Sequence, residues 1–460
     1  MKRRNLGLLA GCSLFALKFG RARGQAAPSA SLLTTTLTPY GAERAGNADG
    51  SIPAWTGGLT TVPDGWQPGQ FMPDIYASDP VVVTIDSGNM AQYAAKLPKG
   101  VMAMMQQFGF SIKVYPTHRP AAAPQWVYDN IATNLGRASL DPAGGRLGFS
   151  GGYGGIPFPI PDASDPLSGG AQIMWNHYCR WSGQGYAFRS EAYAVSDGQA
   201  ALSNASPAHY DYPFYRKNGD ISSWNGETQR SFEAYTAPPN DVGGEIITVD
   251  FADPLKTNNE VWELLNGQGR VRKAPEVSYD TPGSTVDGLA DTDEFFGFAG
   301  QLDRYDWKLT GKQEMYIPYN NNTMFGAPGP AVIGAHFVDP NVVRWELHRV
   351  WVVDATLHPG DRNVLPHRIF YVDEDTMTIA ATDAYDANGN LVHAGLGYFL
   401  TRPDLPGVFQ ANNSVHNLQT GDWTPMAGPW NERDHPSIAF NDGFPDSMFD
   451  PQSMAASAQY

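Results

Sequence analysis

Gly148-Phe149-Ser150-Gly151-Gly152 has the G-x-S-x-G spacing of a nucleophile elbow. That chemistry needs a strand entering and a helix leaving, so that the serine is strained and faces an oxyanion hole. Here the flanks are glycines and Ile156-Pro157-Phe158-Pro159-Ile160-Pro161, where no helix can start. A glycine-rich turn is therefore expected at Ser150, with a secreted hydrolase kept as an alternative. Among ten histidines no H-x-x-x-H or H-x-H pair occurs. His348, His367 and His393 fall on neighbouring expected strands and could converge, but their spacing is not that of a metal site. No metal and no cofactor is expected. Asp373 and Asp375 form a carboxylate pair suited in type to acid–base work, yet they fall at a strand-to-strand turn and are expected to be solvated. Asp383, Asp386, Asn388 and Asn390 around Gly389 depart from calcium-loop spacing and read as a hairpin turn. Lys312 follows Gly311 without the second glycine of a phosphate loop.

What remains is apolar surface. Val350 to Val353 and Ile369 to Val372 are apolar on both faces of their strands. Such a sheet needs a cover on each side, which can be helices, a second sheet or a bound apolar molecule. Counting by twos along the strands places Trp307, Leu309, Met315, Ile317, Trp345, Leu347, Trp351 and Phe370 on one lined face. These eight are the expected ligand-binding residues.

The elements that would carry them are short strands joined by tight turns. Gly (49) and Pro (36) are too abundant for a helical bundle. Strands are expected at 186–195, 245–251, 304–319, 343–357, 367–373, 377–385 and 391–400, forming an antiparallel meander. Helices are expected from Ser87, over 102–108, over 126–135, after a Ser168 cap, and briefly over 259–265. Residues 401–460 read as irregular.

Charge restricts the partners. The chain carries 31 Lys and Arg against 47 Asp and Glu, a net charge of −16. Lys2, Arg3, Arg4, Lys18, Arg21 and Arg23 stand together at the start, so the remainder is more acidic still. No nucleic-acid partner is expected. Residues 1–26 read as an export signal, with a basic start, the apolar stretch Leu6 to Leu17 and small residues after it. Cys12, within Leu9-Ala10-Gly11-Cys12, is a candidate for lipidation, and Arg3-Arg4 is similar to a twin-arginine signal. With the signal removed, Cys179 is the sole cysteine and no intramolecular disulfide can form. No later stretch is apolar enough to span a membrane as a helix.

Several segments carry a resemblance. They are LTPYGAERAGNADGSIPAWTGG (37–58), YPTHR (115–119), GGIPFPIP (154–161), AQIMWNH (171–177), RVRKAPEVSYDTP (270–282), DRYDWKLTGKQEMYIPYNN (303–321) and HRVWVVDATLHPG (348–360). Together they resemble the bacterial family called domain of unknown function 1329, also described as outer-membrane lipoprotein-sorting proteins. The resemblance implies a fold similar to the lipoprotein carriers LolA and LolB. That fold is mainly β (α+β), a strongly curved antiparallel sheet forming an open half-barrel with helices in its concave mouth. It implies one such domain over 27–432 and an irregular tail over 433–460. It also implies a periplasmic or outer-membrane-associated setting, with a resistance–nodulation–division (RND) type exporter or an outer-membrane barrel protein as partner. The expected function is non-enzymatic carriage of a hydrophobic ligand such as a lipid or a lipoprotein acyl chain. The alternative is a structural accessory of an envelope export complex that binds no ligand.

Overall fold

The computed structural model describes residues 29–142, 148–253, 257–274 and 279–457. The expected export signal and Cys12 lie outside the described residues. The protein is mainly β, with one large mixed sheet and few helices. Among the described residues no helix is long and apolar enough to cross a membrane.

Two short strands, β1 (Val83–Ile85) and β2 (Ile112–Val114), start the sheet, and a separate two-stranded ribbon joins β3 (Ser139–Leu140) to β4 (Phe149–Ser150). A meander follows: β5 (Gly185–Ser196), β6 (Gln199–Asp211), β7 (Glu227–Ala234), β8 (Glu245–Phe251), β9 (Glu260–Leu264) and β10 (Val271–Lys273). The second meander holds β11 (Tyr305–Pro318), β12 (Arg344–Leu357), β13 (His367–Asp373), β14 (Ile379–Tyr385), β15 (Leu391–Arg402), β16 (Gly407–Asn417) and β17 (Trp423–Pro425). β17 hydrogen-bonds to β5 and so joins the meanders into one sheet, while β18 (Ala439–Asn441) adds to the far part of β5. All described pairings are antiparallel except that of β2 with β12.

The sheet curls. In a flat sheet β15 would lie four strand spacings, about 19 Å, from β11. Instead β11 approaches both β14 and β15 directly. No described pairing joins the β10 edge to β11 or β1, so the curl stays open.

Three helices cover it. α1 (Lys99–Phe108) buries Val101, Met104 and Met105 and ends at Gly109, whose φ of 69° fits a left-handed cap. Asp383 accepts hydrogen bonds from the amides of Lys99 (3.0 Å) and Gly100 (2.7 Å), so a carboxylate sits where the helix leaves amides unpaired. α2 (Gln125–Arg137) follows Pro124 and buries Val127, Ile131 and Asn134. α3 (Pro166–Tyr178) lies against β11 and β12. Its cap is Asp165, which accepts from the Ser168 amide, rather than the expected Ser168. Three small helices, α4 (Asn322–Phe325), α5 (Gly329–Val332) and α6 (Pro451–Ser457), complete the set.

Three sequence expectations change. The helix expected over 259–265 is β9; a Trp and a Val in five residues suit a strand once neighbours are present. The segment from Ser87 forms 3-10 turns at Met90–Gln92 and Ala94–Lys96. Residues 407–417, expected to be irregular, form β16, in which all but the last residue is buried. With both faces covered, β16 shows no alternation, so its polar residues Asn412, Asn413 and Ser414 masked it.

Glycine lets α3 approach β11. A Cβ on Gly170 would meet the Trp307 carbonyl oxygen at 2.3 Å. Gly170→Ala should therefore destabilise the protein by about 1–3 kcal/mol despite alanine's helix preference. Gly136→Ala in α2, where a Cβ would meet nothing within 4 Å, should stabilise by up to about 1 kcal/mol. Urea denaturation midpoints of the two variants test this pair of opposite signs.

Candidate ligand-binding groove

One face of β7, β8 and β9 forms a floor in rungs fixed by register. Gln229 pairs with Asp250; Ser231 with Thr248 and then Val261; Glu233 with Ile246, Glu263 and Arg272. All of these line a groove with a cavity volume of about 390 Å3. Its wall includes Phe188, Tyr210, Phe295, Phe296 and Met426, with Tyr210 edge-on to Phe296 at 5.9 Å between ring centroids.

A strap, residues 281–299, crosses this face. The Thr285 carbonyl accepts from the Ser203 hydroxyl of β6 at 2.8 Å. Asn413 of β16 accepts from the Phe296 amide (2.8 Å) and donates to the Glu294 carbonyl (2.9 Å). Asp293 accepts two bonds from Arg368 of β13, at 2.8 and 3.0 Å, with both side chains 2% exposed. Glu294 accepts from His393 of β15 at 2.9 Å. Burial opposes the imidazolium, but the Glu294 carboxylate prevails and holds the His393 pKa above the usual histidine value. Phe296 has a φ of 53°, and neighbouring Gly297 leaves room for Ile379. These anchors turn Phe295 and Phe296 to the groove and Phe298 into the core against Trp307 and Phe370.

The floor carboxyls differ in their partners. Glu263 pairs with Arg272 at 3.0 Å. Glu233 accepts from Ser206 (2.8 Å) and Tyr210 (3.3 Å), while burial raises its pKa. Asp250 lines the groove half-buried, and among the described residues its carboxyl has no hydrogen-bond or ion-pair partner. Burial alone pushes it up to about 7.

The eight residues named from sequence lie elsewhere, on β11, β12 and β13. Seven are buried, and Trp351 is half-buried beneath Lys312, 4.4 Å from its ring centroid. They do not share one face. Between Leu309 and Gly311 the register slips by one residue against β12. Trp307 and Leu309 pair with Ala355 and Val353, whereas Met315 and Ile317 pair with His348 and Glu346. A β-bulge thus sends Met315 and Ile317 to the face opposite Trp307 and Leu309. Trp345, Leu347 and Trp351 share the parity of Val353, and Phe370 is the direct partner of Val353. Sequence reasoning missed the groove residues because β7 and the strap carry little apolar alternation.

The other tested groups are placed as follows. Ser150 is exposed, and its hydroxyl meets that of Ser139 at 3.2 Å; no helix follows it. The three histidines go to separate partners: His367 to Asp354, His393 to Glu294 and His348 to Glu346. The turn at Asp373 and Asp375 is buried, not solvated as expected. Arg119 clasps Asp375 with bonds of 2.8 and 2.7 Å and also donates to the Glu43 carbonyl, drawing the N-terminal segment over the turn. His348, Asp373 and Asp375 bring potential ligand atoms within 4.8 Å of one another. Both Asp375 oxygens are already taken by Arg119, Glu374 meets Arg119, Lys312 and Arg349, and Glu346 meets Arg344, while Asp373 accepts from Thr376 and Tyr319 through one oxygen and keeps the other, Oδ1, without a hydrogen bond. Most of the cluster is paired as a buried ion network, with burial raising the pKa of Asp373. Asp386 accepts from the Asn388 and Asn390 amides in a hairpin turn.

Fold and groove together define a mainly β protein whose curled sheet is strapped over an internal groove. The chain belongs to the family described as protein of unknown function DUF1329, whose model matches residues 84–455. An uncharacterized protein of Pseudomonas aeruginosa, PA3922, is 35% identical over 404 residues, covering 86% of each chain. The fold is similar to a DUF1329 family protein from Desulfovibrio piger (14% identity, TM-score 0.43, 63% of this chain and 99% of that one). It is also similar to the LolA superfamily protein NE2245 from Nitrosomonas europaea (11% identity, TM-score 0.35, 61% and 97%).

Two measurements probe the strap and the floor. Arg368→Met leaves Asp293 buried without its cation and should cost about 3–5 kcal/mol in urea unfolding. Asp250 has a folded pKa above its unfolded one, so folding takes up a proton and stability falls as pH rises from about 4 to about 7. Asp250→Asn removes that loss. Its Tm should exceed the parent's by roughly 1–3 °C at about pH 8 and match it near pH 4, read by scanning calorimetry.

Proposed function

We propose that this protein is a non-enzymatic binding protein that carries a hydrophobic or amphiphilic small molecule in the Gram-negative envelope. In this reading the curled sheet is an open half-barrel with α3 at its mouth, and the groove under the strap is the ligand site. The observation that carries it is the groove itself. About 390 Å3 falls within the usual range for small-molecule sites, roughly 300–1,000 Å3, and aromatic walls face a floor with a few polar groups. Burying a chain's apolar surface there contributes about 25 cal/mol per Å2 without covalent chemistry. The space suits one small guest better than several acyl chains. A periplasmic or outer-membrane-associated location follows from the export-signal reading, work beside an RND-type exporter or an outer-membrane barrel protein from the family resemblance, and both belong to the same proposal.

Thr248 sits mid-floor, where tryptophan would fill the groove. The neutral apolar dye N-phenyl-1-naphthylamine should bind the parent, and Thr248→Trp should weaken it at least about tenfold with the fold intact by circular dichroism. Dye binding that is absent from the parent, or equal in the two proteins, overturns the proposal.

A further inference from the structure

The charges in the groove lining are three acids, Glu233, Asp250 and Glu263, and one base, Arg272. Arg272 is spent on Glu263, through bonds of 3.0 and 3.2 Å from two of its nitrogens. Glu233 has its two neutral donors, Ser206 and Tyr210. Among the described residues Asp250 alone has none: its direct neighbour across the strands, Gln229, carries an amide NH2 but makes no hydrogen bond to it. The lining therefore offers an unbalanced negative charge, and the surrounding protein is acidic as well, at −16. An anionic head would be repelled here, and a neutral one would leave the negative charge uncompensated.

Resting on the groove as ligand site, we propose that the natural guest is a basic amphiphile: a molecule with a protonated amine held by Asp250 beside Gln229, and an apolar body against Phe188, Tyr210, Phe295 and Phe296. A charge-assisted N–H to carboxylate bond is about twice as strong as a neutral one, so the head decides selectivity while the body supplies most of the buried area. Burial without a partner has raised the Asp250 pKa; an ammonium donor in the groove supplies the missing counter-charge and restores the ionised form.

The test compares three ligands with one chain length, decylammonium, decan-1-ol and decanoate, by isothermal titration into the full protein. At about pH 8 the amine is charged and Asp250 largely ionised. Decylammonium should bind at least roughly tenfold more tightly than decanoate, with decan-1-ol between them. Asp250→Asn, with the fold intact by circular dichroism, should reduce the amine-to-decanoate ratio severalfold. If decanoate binds as well as decylammonium in the parent protein while decan-1-ol binds too, the charge inference is overturned and the groove reading stands; this comparison needs no variant. An amine preference that persists in a folded Asp250→Asn protein overturns the role of Asp250. If none of the three binds the parent, the groove reading falls and the inference falls with it.

Discussion

A sheet that is apolar on both faces must be covered on both, and this requirement organises the protein. β12, β13, β15 and β16 bury nearly every residue, so none of these four strands presents a whole face to water. Curling brings β11 over β14 and β15 and lets the sheet cover part of itself. α3, brought close by Gly169 and Gly170, lies on β11. In the other half, β7 to β9, Phe449 and Met454 pack on one face, and on the other a strap of nineteen residues crosses without filling it. The groove is what this incomplete cover leaves.

The strap holds its course through charge rather than apolar packing alone. Arg368 to Asp293 and His393 to Glu294 are buried pairs that reach from two central strands to consecutive strap residues. Such pairs contribute little net stability against well-packed apolar substitutes, but breaking one leaves an uncompensated charge, which makes the alternative strap positions costly. The same logic holds at the opposite end of the sheet, where Arg119 ties the N-terminal segment to Asp375. Asp250 has no such partner among the described residues, and unlike the part-satisfied Asp373 it lines the open space.

Much of the fold was legible in the sequence where strands were long and strongly patterned. β8 and β13 fall on the expected bounds, and β12 and β14 within two residues of them. α2 was visible from Val127 and Ile131 at helical spacing. β6, β7 and β16 were not. Their residues are small or polar, and their partners lie across the sheet or in the strap, so no local period marks them. The eight residues chosen for the ligand were a parity count along β11, β12 and β13, and one extra residue near Gly311 reversed that parity on β11.

The sequence by itself determined that the protein is β-rich and acidic, with Cys179 the one cysteine after Cys12, and that its surplus of aromatic residues needed covers on both sheet faces. Those are properties of composition and short-range pattern, which the chain carries wherever it folds. Only the tertiary structure decided which covers are made of protein and which is left as space. That choice depends on curl, on one bulge and on buried ion pairs between residues 75 and 99 positions apart, and no local pattern encodes a pairing over that distance.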